Sequence, residues 1–143
     1  MSIAWKIAGQ GASVTVNIIS RENPDMKNVY RGNWLTCEVE LAVPPFTGRF
    51  NASYTTQDLF KFWTGLSMVL SSSKGEAVFG PDEGPLEITV SIEAKGRALV
   101  KGTTRAQDRS NPTVSFSFES DPAALGKTCK ELEAVITQFP IIV

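Results

Sequence analysis

Along the first half of the chain, apolar and polar residues alternate with a period of two, which is the pattern of half-buried β-strands. In the clearest run, every second residue from Leu35 to Val43 is apolar, and most of the residues between them are polar. A polar stretch with the turn signal Asn-Pro-Asp precedes this run and predicts a loop of about ten residues. Three more strands are expected in this half, around Ile3 to Ile7, Val14 to Ile18 and Phe46 to Tyr54.

The period changes at Thr55, and the spacing predicts a helix from Thr56 to Ser72. Thr55 and Asp58 have the spacing of a capping box, with aspartate in the position that glutamate or glutamine usually takes. Serines and a glycine follow and end the helix. Its apolar residues recur at helical spacing and form a stripe of Leu59, Phe62, Trp63, Leu66, Val69 and Leu70.

The second half repeats this plan of strands followed by one helix. Asp121 before Pro122 is a typical helix start, an N-cap followed by proline in the first turn, and Pro140 ends the helix. The apolar stripe of this helix is expected to consist of Leu125, Cys129, Leu132, Val135, Ile136 and Phe139. The strands are expected around 77–79, 86–92, 98–104 and 114–118, with a hairpin turn at Gly96.

These elements predict one α+β domain over residues 1–143, a mainly antiparallel sheet of about eight strands with two helices on one face. The two halves, 1–73 and 74–143, align at an offset of 66 residues, which matches Phe50 with Phe116 and Leu59 with Leu125. This match has two interpretations. Either the chain is a duplication of a β4α unit, or any strand followed by a capped amphipathic helix gives such coincidences.

Composition narrows the class of protein. A chain of 143 residues with 42% hydrophobic and 20% charged residues is typical of one globular domain. Its 14 basic and 15 acidic residues nearly balance, which argues against non-specific attraction to nucleic acid or to anionic membranes. The first residues lack the pattern of a signal peptide and no stretch is apolar enough to cross a membrane, so a cytoplasmic protein is expected.

The chain contains no histidine, and this removes the most common general base and metal ligand. Its two cysteines, Cys37 and Cys129, follow none of the paired spacings of zinc sites or redox motifs and are expected to be buried free thiols. The segment GPDEGP places Asp82 beside Glu83, but two adjacent carboxylates supply too few ligands for a calcium loop. No enzymatic activity, metal or cofactor is therefore expected.

Candidate site residues lie on the outward faces of the predicted strands. Glu38, Glu40 and Arg49 project from two neighbouring strands, where cross-strand ion pairs explain them without catalysis. A pair of carboxylates that act as acid and base is the remaining alternative. Trp34 shares this face, and it either packs under the preceding loop or anchors a protein partner, because tryptophan is enriched at interface hot spots. The expected partner-binding residues are Trp34, Glu38, Glu40, Arg49, Asp82 and Glu83.

Five segments, in this order, resemble the WapI-type bacterial immunity proteins and their relatives. They are NWL from Asn33 onward, PPFTGRFNASYTTQDLFKF, GEAVFGPDEGPLEITV, KGRALVKGTTRAQDR and VSFSFESDPAALGKTCKELEAVITQFP. Together they cover most of the chain, and their order and spacing are more specific than any one segment. The resemblance implies a small cytoplasmic bacterial protein that, in some members, is encoded beside a toxin and neutralises it by tight binding. It implies no catalytic residues.

The plan of four strands and a helix, present twice, is also similar to that of Whirly and Pur-type proteins, which bind single-stranded nucleic acid. Such proteins use a basic groove with stacking aromatic side chains. Here the outward strand residues are mixed in charge, and Trp34 is the one aromatic residue predicted among them. The outward residues therefore favour a protein partner over nucleic acid, and the resemblance to the WapI-type proteins implies that this partner is a cognate toxin. The sequence leaves the oligomeric state open.

Overall fold

The computed structural model describes residues 3–80, 85–93, 96–105 and 112–143, and these contain eight strands and two helices. This confirms the predicted α+β class and the predicted order of the elements. The first helix begins where its capping box predicts and ends at Ser72, as the following serines and glycine predict. In chain order the elements are β1 (Ile3–Ala8), β2 (Ser13–Arg21), β3 (Trp34–Val43), β4 (Phe46–Thr55), α1 (Thr56–Ser72), β5 (Gly75–Phe79), β6 (Leu86–Ile92), β7 (Ala98–Arg105), β8 (Thr113–Ser120) and α2 (Pro122–Gln138).

The strands form two four-stranded antiparallel sheets, and strands that follow each other in sequence lie side by side. We call β1–β4 the N-terminal sheet and β5–β8 the C-terminal sheet. The alternation of apolar residues predicts which face of each strand is buried, but it does not distinguish one continuous sheet from two. The division falls at α1, because this helix carries the chain roughly 25 Å from the end of β4 before β5 begins.

Both sheets turn their apolar faces toward a common interior, which the two helices complete. An aromatic cluster connects the parts of this core. The ring centroid of Phe79, on β5, lies 5.2 Å from that of Trp5 on β1, 4.9 Å from that of Tyr54 on β4 and 5.6 Å from that of Phe62 on α1. All three contacts have edge-to-face geometry, which aromatic pairs favour. One side chain therefore links the two sheets and the first helix.

Each helix packs against the sheet of the other half: α2 lies along β1, and α1 lies along β5. At the edge of β1, the Lys6 N–H donates a hydrogen bond to Glu131 Oε1 (3.0 Å), and the Lys6 carbonyl accepts one from Thr128 Oγ1 (2.7 Å). The side chains of α2 thus satisfy backbone groups that an edge strand would otherwise leave open.

Both helices begin with the side-chain caps that the sequence predicts. Thr55 Oγ1 accepts a hydrogen bond from the Asp58 N–H (3.2 Å), and Asp58 Oδ2 accepts one from the Thr55 N–H (2.9 Å). Asp121 Oδ1 accepts a hydrogen bond from the Ala124 N–H (2.8 Å).

The two helices start 66 residues apart and end 66 residues apart, the offset that aligns the halves in sequence. Both interpretations of this offset, a duplication and a coincidence of similar elements, are compatible with these bounds. No helix in the described part of the chain is long and apolar enough to span a membrane.

The hairpin of β3 and β4 extends beyond the core. Phe46 shares the inward strand face with Tyr54, as the alternation predicts, but Phe46 is 70% exposed and Tyr54 is fully buried. Alternation therefore identifies the face on which Phe46 lies, but not how far the second layer reaches over that face. Cys129, on α2, is half-buried, so the expectation that it is buried is wrong, whereas Cys37 is buried as expected.

Candidate functional site

The predicted site residues of the N-terminal sheet lie together on the face that points away from the core. The strand register places Glu40 directly opposite Arg49 and Glu38 opposite Asn51. Trp34 lies at the start of the same strand, four residues before Glu38 and so roughly 13 Å from it along the strand. We call this surface the outer N-terminal face. Its other side chains are Lys6, Thr15, Asn17, Thr36 and Ser53.

Arg49 binds both carboxylates of this face. Its Nη2 atom lies 2.9 Å from Glu40 Oε1, and its Nε atom lies 3.8 Å from Glu38 Oε1. The Arg49 side chain is 68% exposed, so water screens both ion pairs and each contributes little to stability. The predicted cross-strand ion pairing is therefore confirmed. Because the pairs are weak and exposed, a bound protein could exchange their partners at little cost.

Two further residues of this face were missed by the sequence analysis. Ile19 is 51% exposed and lies at a bulge, where the pairing of β2 with β3 shifts by one residue. Glu22, just beyond β2, accepts a hydrogen bond from Ser53 Oγ (3.3 Å). A bulge changes which residues share a face, and strict alternation does not reveal it. Ile19 and the half-buried Trp34 therefore lie at the same end of the face, next to Glu22.

The remaining predicted site residues, Asp82 and Glu83, lie outside the described residues. Their role in partner binding stays a prediction.

The outer face of the C-terminal sheet forms an open groove of about 570 Å³. It is lined by hydroxyl side chains of three strands, by Glu87, and by Lys101 and Arg105. Neither of the two basic residues forms an ion pair with another described residue. The aromatic side chain in the lining is Phe116, which is only 9% exposed. Its ring therefore offers little area on which a nucleic-acid base could stack.

The nucleophilic side chains of the core are held in their neutral form. Burial raises the pKa of Cys37 to about 12, and it also raises the pKa of Tyr54 and of Cys129. A thiol with a raised pKa stays protonated at neutral pH and is a poor nucleophile. Among the described residues there is no group of three or more cysteine, aspartate or glutamate side chains placed to hold a metal ion.

Two solved structures show limited similarity to this chain. The structure of MRP1/MRP2 from Trypanosoma brucei has a TM-score of 0.48 and 12% sequence identity, over 98% of this chain and 85% of that one. The CdiA-CT/CdiI toxin and immunity complex from Enterobacter cloacae has a TM-score of 0.45 and 10% identity, over 94% of this chain and 98% of that one. A comparison with curated protein sequences finds no match.

A family model matches nearly the whole chain. The match extends over residues 5–140, from β1 to just beyond α2, and so includes both sheets, both helices and most of the outer N-terminal face. It agrees with the resemblance that the five sequence segments carry. The chain therefore belongs to the immunity protein WapI-like family.

Proposed function

We propose that this protein neutralises a protein toxin by direct binding, without catalysis, in the cytoplasm of a bacterial cell. The observation that carries the proposal is membership of an immunity protein family over residues 5–140. The inward faces of both sheets are occupied by the core, so a partner has to bind an outer sheet face, a strand edge, the exposed side of a helix or a loop. This limits the candidate surfaces to a few.

The outer N-terminal face is the proposed binding surface. It presents three carboxylates against two basic side chains, and it carries Ile19 and Trp34 at one end. Protein interfaces combine large apolar anchors of this kind with surrounding polar groups. A toxin with basic residues would be steered toward the carboxylates, and its lysine or arginine side chains could replace Arg49 at Glu38 and Glu40.

Co-expression tests the proposal. The probe is the toxic polypeptide encoded by the adjacent gene, produced with an affinity tag together with this chain. We expect the two chains to co-purify and the cells to keep growing, whereas cells that produce the toxin alone stop growing. Growth arrest in the presence of this chain, without co-purification, would contradict the proposal. Salt-dependent binding of a single-stranded oligonucleotide would instead favour the nucleic-acid alternative.

Trp34→Ala is expected to weaken the complex with the toxin roughly 30-fold, which corresponds to about 2 kcal/mol, because tryptophan anchors lose a large contact area on truncation. Isothermal titration calorimetry on the purified proteins measures this loss. Trp34→Phe keeps an aromatic ring and is the matched control, which should retain most of the affinity. Thermal unfolding of each free variant shows whether its fold is intact. Unchanged affinity of the alanine variant would place the interface elsewhere.

Reversing two charges, Glu38→Lys with Glu40→Lys, is expected to slow association with a basic toxin about tenfold at low salt and less at high salt, because steering is electrostatic. Surface plasmon resonance at several salt concentrations measures the association rate. The matched control is Glu76→Lys with Glu87→Lys, which changes the net charge equally on the outer face of the C-terminal sheet. Equal slowing in both double variants would show that net charge, not this face, controls association.

A further inference from the structure

The two sheets have four edge strands, β1, β4, β5 and β8. These strands differ in which parts of the chain contact their outer edge. α2 covers the edge of β1, and α1 packs against β5. At the end of β8, the Glu119 carbonyl accepts a hydrogen bond from the Gln10 N–H (2.9 Å). No hydrogen bond within the described residues reaches the outer backbone groups of β4 between Thr47 and Ser53. This edge is open along most of its length.

The register of β3 with β4 identifies which backbone groups point outward. Val43 pairs with Phe46 across a two-residue turn, and hydrogen-bonded pairs then alternate with non-hydrogen-bonded pairs along the ladder. The N–H and C=O groups of every second β4 residue therefore point away from β3. The bond from the Thr55 N–H to Asp58, outside the ladder, agrees with this assignment. In the open segment, the residues whose backbone groups point away from β3 are Thr47, Arg49, Asn51 and Ser53.

The open segment lacks the features that usually protect an edge strand. It contains no proline, and its one charged residue is Arg49. The ion pairs with Glu38 and Glu40 hold the Arg49 side chain over its own sheet instead of across the edge. Phe46 is 70% exposed on the inward side of the same strand. An unprotected edge of this kind is a template for pairing with another strand.

We propose that β4 pairs antiparallel with β4 of a second copy of this chain, so that two N-terminal sheets form one continuous eight-stranded sheet. A two-fold axis at Phe50 places Arg49 opposite Asn51 of the second copy and Thr47 opposite Ser53. Each residue whose N–H and C=O groups point away from β3 then faces such a residue of the second copy, and the two can form hydrogen bonds. The pairing satisfies the open backbone groups of both chains and places the exposed Phe46 beside Tyr54 of the second copy.

Neighbouring registers are less favourable. With the axis moved one residue toward the N-terminus, the two Arg49 side chains face each other, and like charges in directly opposed positions are destabilising. With the axis moved one residue toward the C-terminus, Thr47 faces Thr55, whose N–H already donates to Asp58. The register centred on Phe50 is therefore the one that we assign.

The dimer goes beyond the proposed toxin binding and does not depend on it. It would nevertheless place two outer N-terminal faces side by side, with the Glu38, Glu40 and Arg49 clusters of both copies flanking the two-fold axis. A toxin would then meet a surface twice as wide as the one that a single copy offers.

Asn51→Pro tests the pairing, because proline removes an N–H that points outward and leaves the bonds to β3 in place. Analytical ultracentrifugation of the full chain is expected to show a dimer whose dissociation constant rises about tenfold or more in this variant. Asn51→Ala keeps the N–H and should leave the dimer unchanged. A wild-type chain that stays monomeric at concentrations on the order of 100 μM would overturn the proposal. A dimer that resists Asn51→Pro would also overturn it.

Phe50→Cys provides a second test that does not depend on tolerance of proline. In a non-hydrogen-bonded antiparallel pair the Cα atoms lie roughly 4.5 Å apart, within the range of a disulfide. In a Cys129→Ser background, mild oxidation is expected to link two chains through position 50, as seen on a non-reducing gel. Thr47→Cys in the same background should not form the link, because that position faces Ser53 of the second copy. No link at position 50, or equal linking at both positions, would contradict the assigned register.

Discussion

Phe79→Ala is expected to lower the free energy of unfolding by about 3–5 kcal/mol, the range for removing a large aromatic side chain from a packed core. Phe79 is 1% exposed, and its ring contacts Trp5, Tyr54 and Phe62. These partners come from β1, β4 and α1, whereas Phe79 belongs to β5. The substitution leaves a cavity where the two sheets meet, and the neighbouring rings cannot all move to fill it. Urea denaturation followed by circular dichroism measures the loss.

Val78→Ala is the matched control for Phe79→Ala. Val78 precedes Phe79 on the same strand, points to the opposite face and is 53% exposed. We expect its loss of stability to stay below about 0.5 kcal/mol, because few of its contacts are buried. If the two variants were equally stable, the sheets could not share the core described here, and each half would have to be stable by itself.

The helices were predictable because their signals are local. The Thr55 capping box and the Asp121 cap with Pro122 set the first residue of each helix, and the structure forms the hydrogen bonds that these residues predict. The strands were predictable for a similar reason, since a period of two requires only neighbouring residues. All eight strands occur where alternation or turn signals indicated them, with differences of a few residues at their ends.

The packing of these elements was not predictable because it depends on residues far apart in sequence. The bond between Lys6 and Glu131 joins residues 125 positions apart, and together with the bond from Thr128 it covers the β1 edge. Nothing in either local segment indicates that α2 packs on the first sheet and not on the second. For the same reason, alternation predicted about eight strands but not their division into two sheets.

For the candidate site, too, the sequence predicted what depends on neighbouring residues and not what depends on distant ones. Glu38, Glu40 and Arg49 were correctly placed on an outward face, since alternation decides this, and the register then brings them into contact. Glu22 was missed because the bulge in β2 shifts it onto this face, and a strictly alternating pattern does not show a bulge. Ile19 follows the buried Ile18, so alternation itself places it on the outward face. Whether a toxin binds this face depends on the chemistry of another molecule, which this sequence does not contain.

Asn33 is a residue whose importance only the structure reveals. It lies in a polar, loop-like stretch of the sequence, and yet it is fully buried. Its Nδ2 atom donates to the carbonyls of Val29 (3.1 Å) and Ile142 (3.0 Å), and its Oδ1 atom accepts from the Ile142 N–H (2.7 Å). Its own carbonyl accepts a hydrogen bond from the Thr56 N–H (3.0 Å). Asn33 therefore connects the β2–β3 loop, the C-terminal segment and the start of α1.

Asn33→Asp is expected to lower the free energy of unfolding by about 3 kcal/mol at neutral pH, because a buried carboxylate would replace a donor that faces two carbonyls. The positive charge of the nearby Arg21 guanidinium, which donates to Gly32 O (2.7 Å), reduces this loss but does not abolish it. Burial and the facing carbonyls raise the pKa of the introduced carboxyl in the folded state. The variant should therefore be most stable below the unfolded-state pKa and lose stability as pH rises through the folded-state value.

Asn28→Asp makes the same chemical change in the same loop and is the control. Asn28 Oδ1 accepts hydrogen bonds from the Tyr30 N–H (3.1 Å) and the Arg31 N–H (2.9 Å). A carboxylate can accept both, so we expect a change below about 0.5 kcal/mol and no loss of stability as pH rises toward neutral. Denaturant titrations of both variants at acidic and neutral pH separate the two cases. If Asn33→Asp behaved like Asn28→Asp at both pH values, the C-terminal segment would not depend on Asn33, and its attachment would have to come from Arg21, which also donates to the Pro140 carbonyl (2.7 Å).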